Sequence, residues 1–171
     1  MRRRANSLVA GLWAGLLFMA CSREAPPIVT PEPPPPEATY VIMNEIYSRG
    51  TASDPDWVEV YNPFNSAVDL TGYHIYDSGG KAGTKPKKGF PAGVVVPSHG
   101  FYVIVTDNTG DPSDFGLSSG GEEIWLEDST GVVVDYVTFP AMDVTQSYSR
   151  IPDGAATWQL APLTRGGPNH P

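Results

Sequence analysis

Two glutamates in this chain are of the type and spacing that could share a chemical task. Glu45 follows Asn44 in "VIMNEIY", and Glu59 lies in "DWVEVYNP", residues 56–63, between Trp57 and Tyr61. A hydrolytic carboxylate pair needs one acid with a raised pKa and a substrate cleft between the two. Nothing in the spacing demands that. If Trp57–Tyr61 is a strand, residues 57, 59 and 61 share one face, and Val58 and Val60 form a core stripe on the other. Glu59, flanked by aromatics, then accepts hydrogen bonds from a neighbouring strand. Asn62-Pro63 opens a turn, because Asn caps locally and Pro cannot extend a ladder. The expected role of both glutamates is to hold a fold together.

Three other groupings carry chemical potential. "DNTGDPSD" offers Asp107, Asp111 and Asp114 as hard oxygen ligands for Ca²⁺, with Asp54 and Asp56 of "SDPD" as a second cluster. The spacing is not that of an EF-hand loop, and a solvated turn after a strand explains the same residues, so no cofactor is expected. "DSGGKAGTKPKKG" holds Lys81, Lys85, Lys87 and Lys88, the one basic patch of an acidic domain. It is a candidate contact for an anionic partner, against the plainer reading of a soluble, mobile Gly-rich loop. The histidines, His74 mid-strand, His99 in a turn and His170 in a tail expected to fray, belong to no G-x-S-x-G elbow or H-E-x-x-H helix.

The elements that must position these residues begin after an N-terminal leader. Arg2, Arg3 and Arg4 precede an uncharged apolar run, Leu8 to Ala20, of signal-peptide length. The run ends at Cys21, the only cysteine in the 171-residue chain. Ala20-Cys21 resembles the lipobox of bacterial lipoproteins, which implies cleavage after residue 20 and lipidation of Cys21. Residues 22–38, "SREAPPIVTPEPPPPEA", are rich in proline, which removes backbone donors and fixes φ, so an extended polyproline II tether is expected. The expected location is the cell envelope, outer membrane or cell surface, on the membrane and not across it. Loss of three leader arginines from the 11 basic residues leaves 8 against 19 acidic ones, a net charge of −11. Such a domain is a poor nucleic-acid binder, because phosphate neutralisation needs Lys and Arg.

From residue 39 onward, short runs rich in Val, Ile, Tyr, Phe and Trp alternate with Gly, Pro, Asn, Asp and Ser clusters, the pattern of an all-β domain. Strands are predicted over 40–47, 57–61, 67–70, 73–76, 93–96, 101–106, 123–127, 132–139 and 147–151, with no helix. "IWLEDSTGVVVDYV" is the clearest hairpin, turning at Gly131.

"VIMNEIYSRG…DWVEVYNPFNSAVDLTGYHIYD", "FPAGVVVPSHGFYVIVTD", "FGLSSGGEEIWLEDSTGVVVDYVTF", "QSYSRIPDG…W" and "TRGGPN" follow one another in order across Val41 to Asn169. This succession resembles the lamin tail domain family, which implies an immunoglobulin-like β-sandwich. Glu45, Trp57, Glu59, Asn62 and Gly72 fall on positions of the family's pattern, and the resemblance implies structural work for them. Tyr73 stands where many members carry tryptophan, and Arg165 where proline often precedes the glycine. The expected function is a non-catalytic interaction or scaffold module on a tether, whose partner is a surface protein or polysaccharide. A small secreted hydrolase, with or without metal assistance, and a purely structural envelope protein are the alternatives.

Overall fold

Residues 40–171 of this computed structural model are described; residues 1–39, which take in the leader (1–20), Cys21 and the proline-rich segment (21–38), lie outside them. Along the described chain run β1 (Ile42–Tyr47), β2 (Trp57–Tyr61), β3 (Val68–Asp69), β4 (His74–Tyr76), α1 (Ser78–Lys81), β5 (Lys88–Gly89), β6 (Val95–Val96), β7 (Phe101–Val105), β8 (Gly121–Glu127), β9 (Val133–Pro140), β10 (Gln146–Arg150) and β11 (Trp158–Pro162). One sheet has the order β11-β10-β1-β2-β7, a second β5-β4-β8-β9, and β3 pairs with β6 in a third. The ladders are antiparallel throughout. The fold is an all-β, immunoglobulin-like sandwich.

The core lies between the two larger sheets. Met43, Ile46, Val58, Val60 and Ile104 from one, and Ile75, Ile124, Leu126, Val137 and Phe139 from the other, are all buried. Alternation produces this on β2, β4, β8 and β9, where inward residues are two apart and opposite an inward residue on the next strand; β1 is the exception, with Met43 and Ile46 three apart. The β8–β9 turn forms as the sequence predicts: Asp128 Oδ1 accepts from Thr130 N and Val132 N at 2.8 and 3.0 Å. Gly131 supplies a φ of +85°. Gly72 has a φ of +82° and lies beneath Ser129, where a side chain would be both strained and crowded.

Three predictions fail locally. A helical turn, α1, occupies the Gly-rich loop, because Asp77 caps it by accepting from Gly80 N at 3.0 Å. The strands β5 and β11 were not predicted: two residues carry no period, and β11 ends in Ala161-Pro162. The C-terminal tail does not fray as far as Asn169, which is buried, although His170 is exposed.

Candidate functional site

Strict alternation along β1 would place Met43, Glu45 and Tyr47 on one face. The β1–β2 register breaks this. Met43 opposes Val60, but Glu45 opposes Glu59 and Ile46 opposes Val58, with Asn44 as the extra residue of a bulge. Met43 and Ile46 therefore face the core with Val60 and Val58. Glu45 and Tyr47 join Glu59 and Trp57 on the outer face. Directly opposed residues have Cβ atoms about 5 Å apart, so the two glutamates are brought together as side-by-side neighbours.

That outer face is covered. Trp57, Glu45 and Glu59 are each 0 % exposed, so the expectation of one buried face on β2 is corrected to two. The cover is the segment after β11, residues 163–169. Glu45 Oε1 accepts from Ser147 Oγ at 2.6 Å and from Thr164 N at 2.9 Å, and its Oε2 accepts from Thr164 Oγ1 at 3.0 Å. Glu59 Oε1 accepts from Asn44 Nδ2 at 3.1 Å, and Oε2 from Gly166 N at 2.7 Å. All four carboxylate oxygens thus have donors, and the one expected from an adjacent strand is joined by donors from the strap and the bulge. Arg165 lies over the Trp57 ring at 5.4 Å and pairs with Asp54 at 3.0 Å, sealing the edge.

The bulge is satisfied by partners remote in sequence. Asp135 Oδ2 on β9 accepts from Met43 N at 2.9 Å, and Arg150 Nε donates to Met43 O at 2.7 Å. Asp135 and Arg150 are themselves paired at 3.2 Å, across the two sheets. Asn44 Nδ2 also donates to Asp153 Oδ1 at 2.9 Å, while Asn44 Oδ1 accepts from Gly154 N at 3.1 Å. Asn169 Nδ2 donates to Asn44 O and Arg150 O, both at 3.0 Å. Asn62 holds the far end of β2. Its Nδ2 lies within 3.1 Å of the Ser66, Val96 and Pro97 carbonyls, and its Oδ1 accepts from Phe64 N.

Burial pushes the Glu59 carboxyl up from 4.5 to about 7, opposed by the Asn44 and Gly166 donors and reinforced by the nearby charges of Glu45 and Asp153. A raised carboxyl beside a second carboxylate has the electrostatics of a general acid. Its access differs: each oxygen faces a donor of the protein's own backbone or side chains.

The two acidic clusters meet only at Asp56 and Asp107. Among the described residues, no three His, Cys, Asp or Glu side chains are grouped to hold a metal ion. Asp56 accepts from Gly50 N at 2.7 Å and Leu117 N at 2.9 Å, and Asp107 from Asp56 N at 2.9 Å. Asp114 accepts from Thr109 N at 2.7 Å and pairs with Lys88. Asp111 accepts from Ser113 N at 2.7 Å. Asp111 and Asp114 act as local caps of the loop on which they sit, whereas Asp56 and Asp107 tie loops remote in sequence together.

The lysine loop is likewise not a single patch. Lys85 pairs with Asp77 at 3.1 Å, and Lys87 with Glu127 while lying 4.4 Å over the Tyr76 ring. Lys81 lies 4.0 Å over Trp125, and Lys88 is 5 % exposed. Each ammonium has a carboxylate or aromatic partner, so the expectation of a mobile loop is corrected to a loop tied down over β4 and β8.

Sequence reasoning missed Asp135, Ser147, Arg150, Asp153, Thr164 and Asn169. The alternating serines of "QSYSR" and the last residues of "TRGGPN" were their signal. They had meaning only once β10 was placed beside β1. A cleft of about 300 Å³ lies elsewhere, between β5 and β7, lined by Lys88, Gly89, Tyr102, Val103, Thr109 and Asp111 among others.

The family model described as Lamin Tail Domain matches residues 34–141. No curated protein and no solved structure matches the chain. The family match ends before β10, β11 and the strap, yet β10 is the partner of β1 and the strap covers both glutamates.

Proposed function

The chain belongs to the lamin tail domain family, a non-enzymatic immunoglobulin-like domain type, and from that premise we propose that it is a non-catalytic interaction or scaffold module of the cell envelope, anchored through a lipid on Cys21. The observation that carries the non-catalytic reading is the use made of its acids. Glu45 and Glu59 lie side by side, fully buried, with every oxygen accepting from the chain itself. If residues 22–38 run as the expected polyproline II tether, at about 3.1 Å per residue, they would hold the domain off on the order of 50 Å. That format suits a domain presented to a surface protein or polysaccharide, and the overall acidity of the chain disfavours nucleic acid.

Two measurements test this. Cys21→Ser moves the protein from the membrane fraction to the soluble fraction; retention without an uncleaved leader overturns the anchor. Glu45→Ala lowers stability by about 2–4 kcal/mol, because three donors lose their acceptor. A Glu45→Ala protein that keeps its stability but loses a hydrolytic activity overturns the non-catalytic reading.

A further inference from the structure

Four strands form the edges of the two large sheets: β7 and β11 of one, β5 and β9 of the other. Edge strands present unpaired N–H and C=O groups, and folded proteins guard them with charge, Pro or shortness. β5 is two residues long and includes Lys88, β9 carries Asp135 and Pro140, and β11 carries Pro162. β7 reads Phe-Tyr-Val-Ile-Val, five residues with neither charge nor proline.

The ladder tells which groups of β7 are free. Asn62 N donates to Gly100 O at 3.0 Å and Thr106 N to Asp56 O at 2.9 Å. Since Val60 opposes Tyr102 and Val58 opposes Ile104, alternation makes residues 100, 102, 104 and 106 the ones bonded to β2. The N–H and C=O groups of Phe101, Val103 and Val105 therefore point away from β2. The cleft of about 300 Å³ lies along this strand, with Lys88 and Gly89 of β5 as its other wall.

The charge on the walls selects the occupant. Lys88 is neutralised by Asp114. Asp111 is exposed, its Oδ1 held by Ser113, and among the described residues nothing donates to its Oδ2. A second copy of this acidic chain would bring like charge to that wall. We propose that the free edge of β7 is a docking site for an extended, apolar-and-basic peptide segment of a partner protein, which adds as a sixth strand and sets a Lys or Arg against Asp111. This rests on the interaction-module reading and names the kind of partner. Main-chain bonds to Phe101, Val103 and Val105 supply the register, and alternate side chains enter the cleft.

The test is hydrogen exchange of the full chain, read at every amide. The probe is a peptide of about eight residues, alternating valine and threonine with a lysine at each end, compared with its glutamate-ended twin. Without peptide, Phe101, Val103 and Val105 exchange fast while Tyr102, Ile104 and Thr106 are slow. The lysine peptide slows the first set by about tenfold or more, the glutamate twin binds more weakly, and Asp111→Asn narrows that difference. Val103→Pro removes one outward donor and leaves the β2–β7 ladder intact; it abolishes the protection while the even-numbered amides stay slow. Unchanged protection in Val103→Pro, protection confined to another face, or none at all overturns the proposal. So does edge protection that rises with chain concentration alone, which would assign the edge to a second copy. An envelope extract is applied in parallel: a footprint away from β7 rejects this site but leaves the module reading standing, whereas no footprint anywhere rejects the module reading itself.

Discussion

Asn169 makes the bulge at Asn44 a stability determinant that can be measured. Its Nδ2 donates to Asn44 O and to Arg150 O, each at 3.0 Å, and its Oδ1 lies 2.5 Å from Thr164 Oγ1, whose one proton it shares with Glu45 Oε2. Asn169→Ala strips donors from two buried carbonyls, at about 1–3 kcal/mol for each group left unsatisfied. Because Asn169 is 9 % exposed, water relieves part of that, and the expected loss is about 2–4 kcal/mol. For a domain of this size that is roughly 10 °C in Tm, and a sizeable share of a total stability of about 5–15 kcal/mol. Urea unfolding followed by tryptophan fluorescence reads it, with Trp57 as a buried reporter and an unchanged slope. Two companions sharpen the test. Deleting His170 and Pro171, both exposed, is neutral. Asn169→Asp is worse than alanine, since it points a carboxylate at two carbonyls close to Asp153. A loss under about 0.5 kcal/mol for Asn169→Ala, or an aspartate milder than the alanine, refutes the reasoning.

Other outcomes follow from the same contacts. The folded-state pKa of Glu59 is raised from 4.5 to about 7, so the native chain holds the extra proton in that window and stability falls as pH rises through it. Linkage sets the loss at roughly 3 kcal/mol; Glu59→Gln flattens the slope, and a denaturation midpoint that rises from pH 5 to 7 in the parent refutes it. Desolvation raises the Asp114 carboxyl, but hydrogen bonds from Lys88 and Thr109 outweigh this and hold it down to about 2. Its stabilising share is therefore present above pH 3.8 and lost as pH falls toward 2, and Lys88→Ala raises the Asp114 pKa in a carboxyl NMR titration while costing about 1–3 kcal/mol. Millimolar Ca²⁺ leaves the melt in place, since the acids already serve as caps and loop ties; a chelator-reversible rise overturns that.

The strands legible in the sequence were those whose signals are local. Trp57–Tyr61 matches its predicted bounds, and the Asp128–Gly131 turn announces itself in four residues. The family pattern also pointed to Glu45, Trp57, Glu59 and Asn62, all of which are buried. What stayed hidden depends on partners far along the chain. The Asn44 bulge exists because Asp135 and Arg150 satisfy Met43, 92 and 107 residues away. Reading β1 with an unbroken period of two assigns Glu45 to the core side and Ile46 to the outside, the reverse of what the bulge produces. Lys88 reads as a solvated lysine until Asp114, 26 residues on, is brought beside it.

Paired carboxylates, one with a raised pKa, buried against aromatics, are what a search for an active site would select. What separates this pair from a reaction centre is the identity of its hydrogen-bond donors. An acid that transfers a proton to a substrate must have an oxygen free to meet it. Here Ser147, Thr164, Asn44 and Gly166 occupy those positions, and two of these residues belong to the strap that closes over the sheet. The charge on Glu45 and Glu59 is thereby converted from reactivity into cross-links between β1, β2, β10 and the chain's last residues. The desolvation that raises Glu59 is the cost of that closure, offset in part by the donors that Asn44 and Gly166 turn toward it. The pair therefore makes the sandwich close, and any partner must be met elsewhere, at surfaces such as the β7 edge, where main-chain groups still lack one.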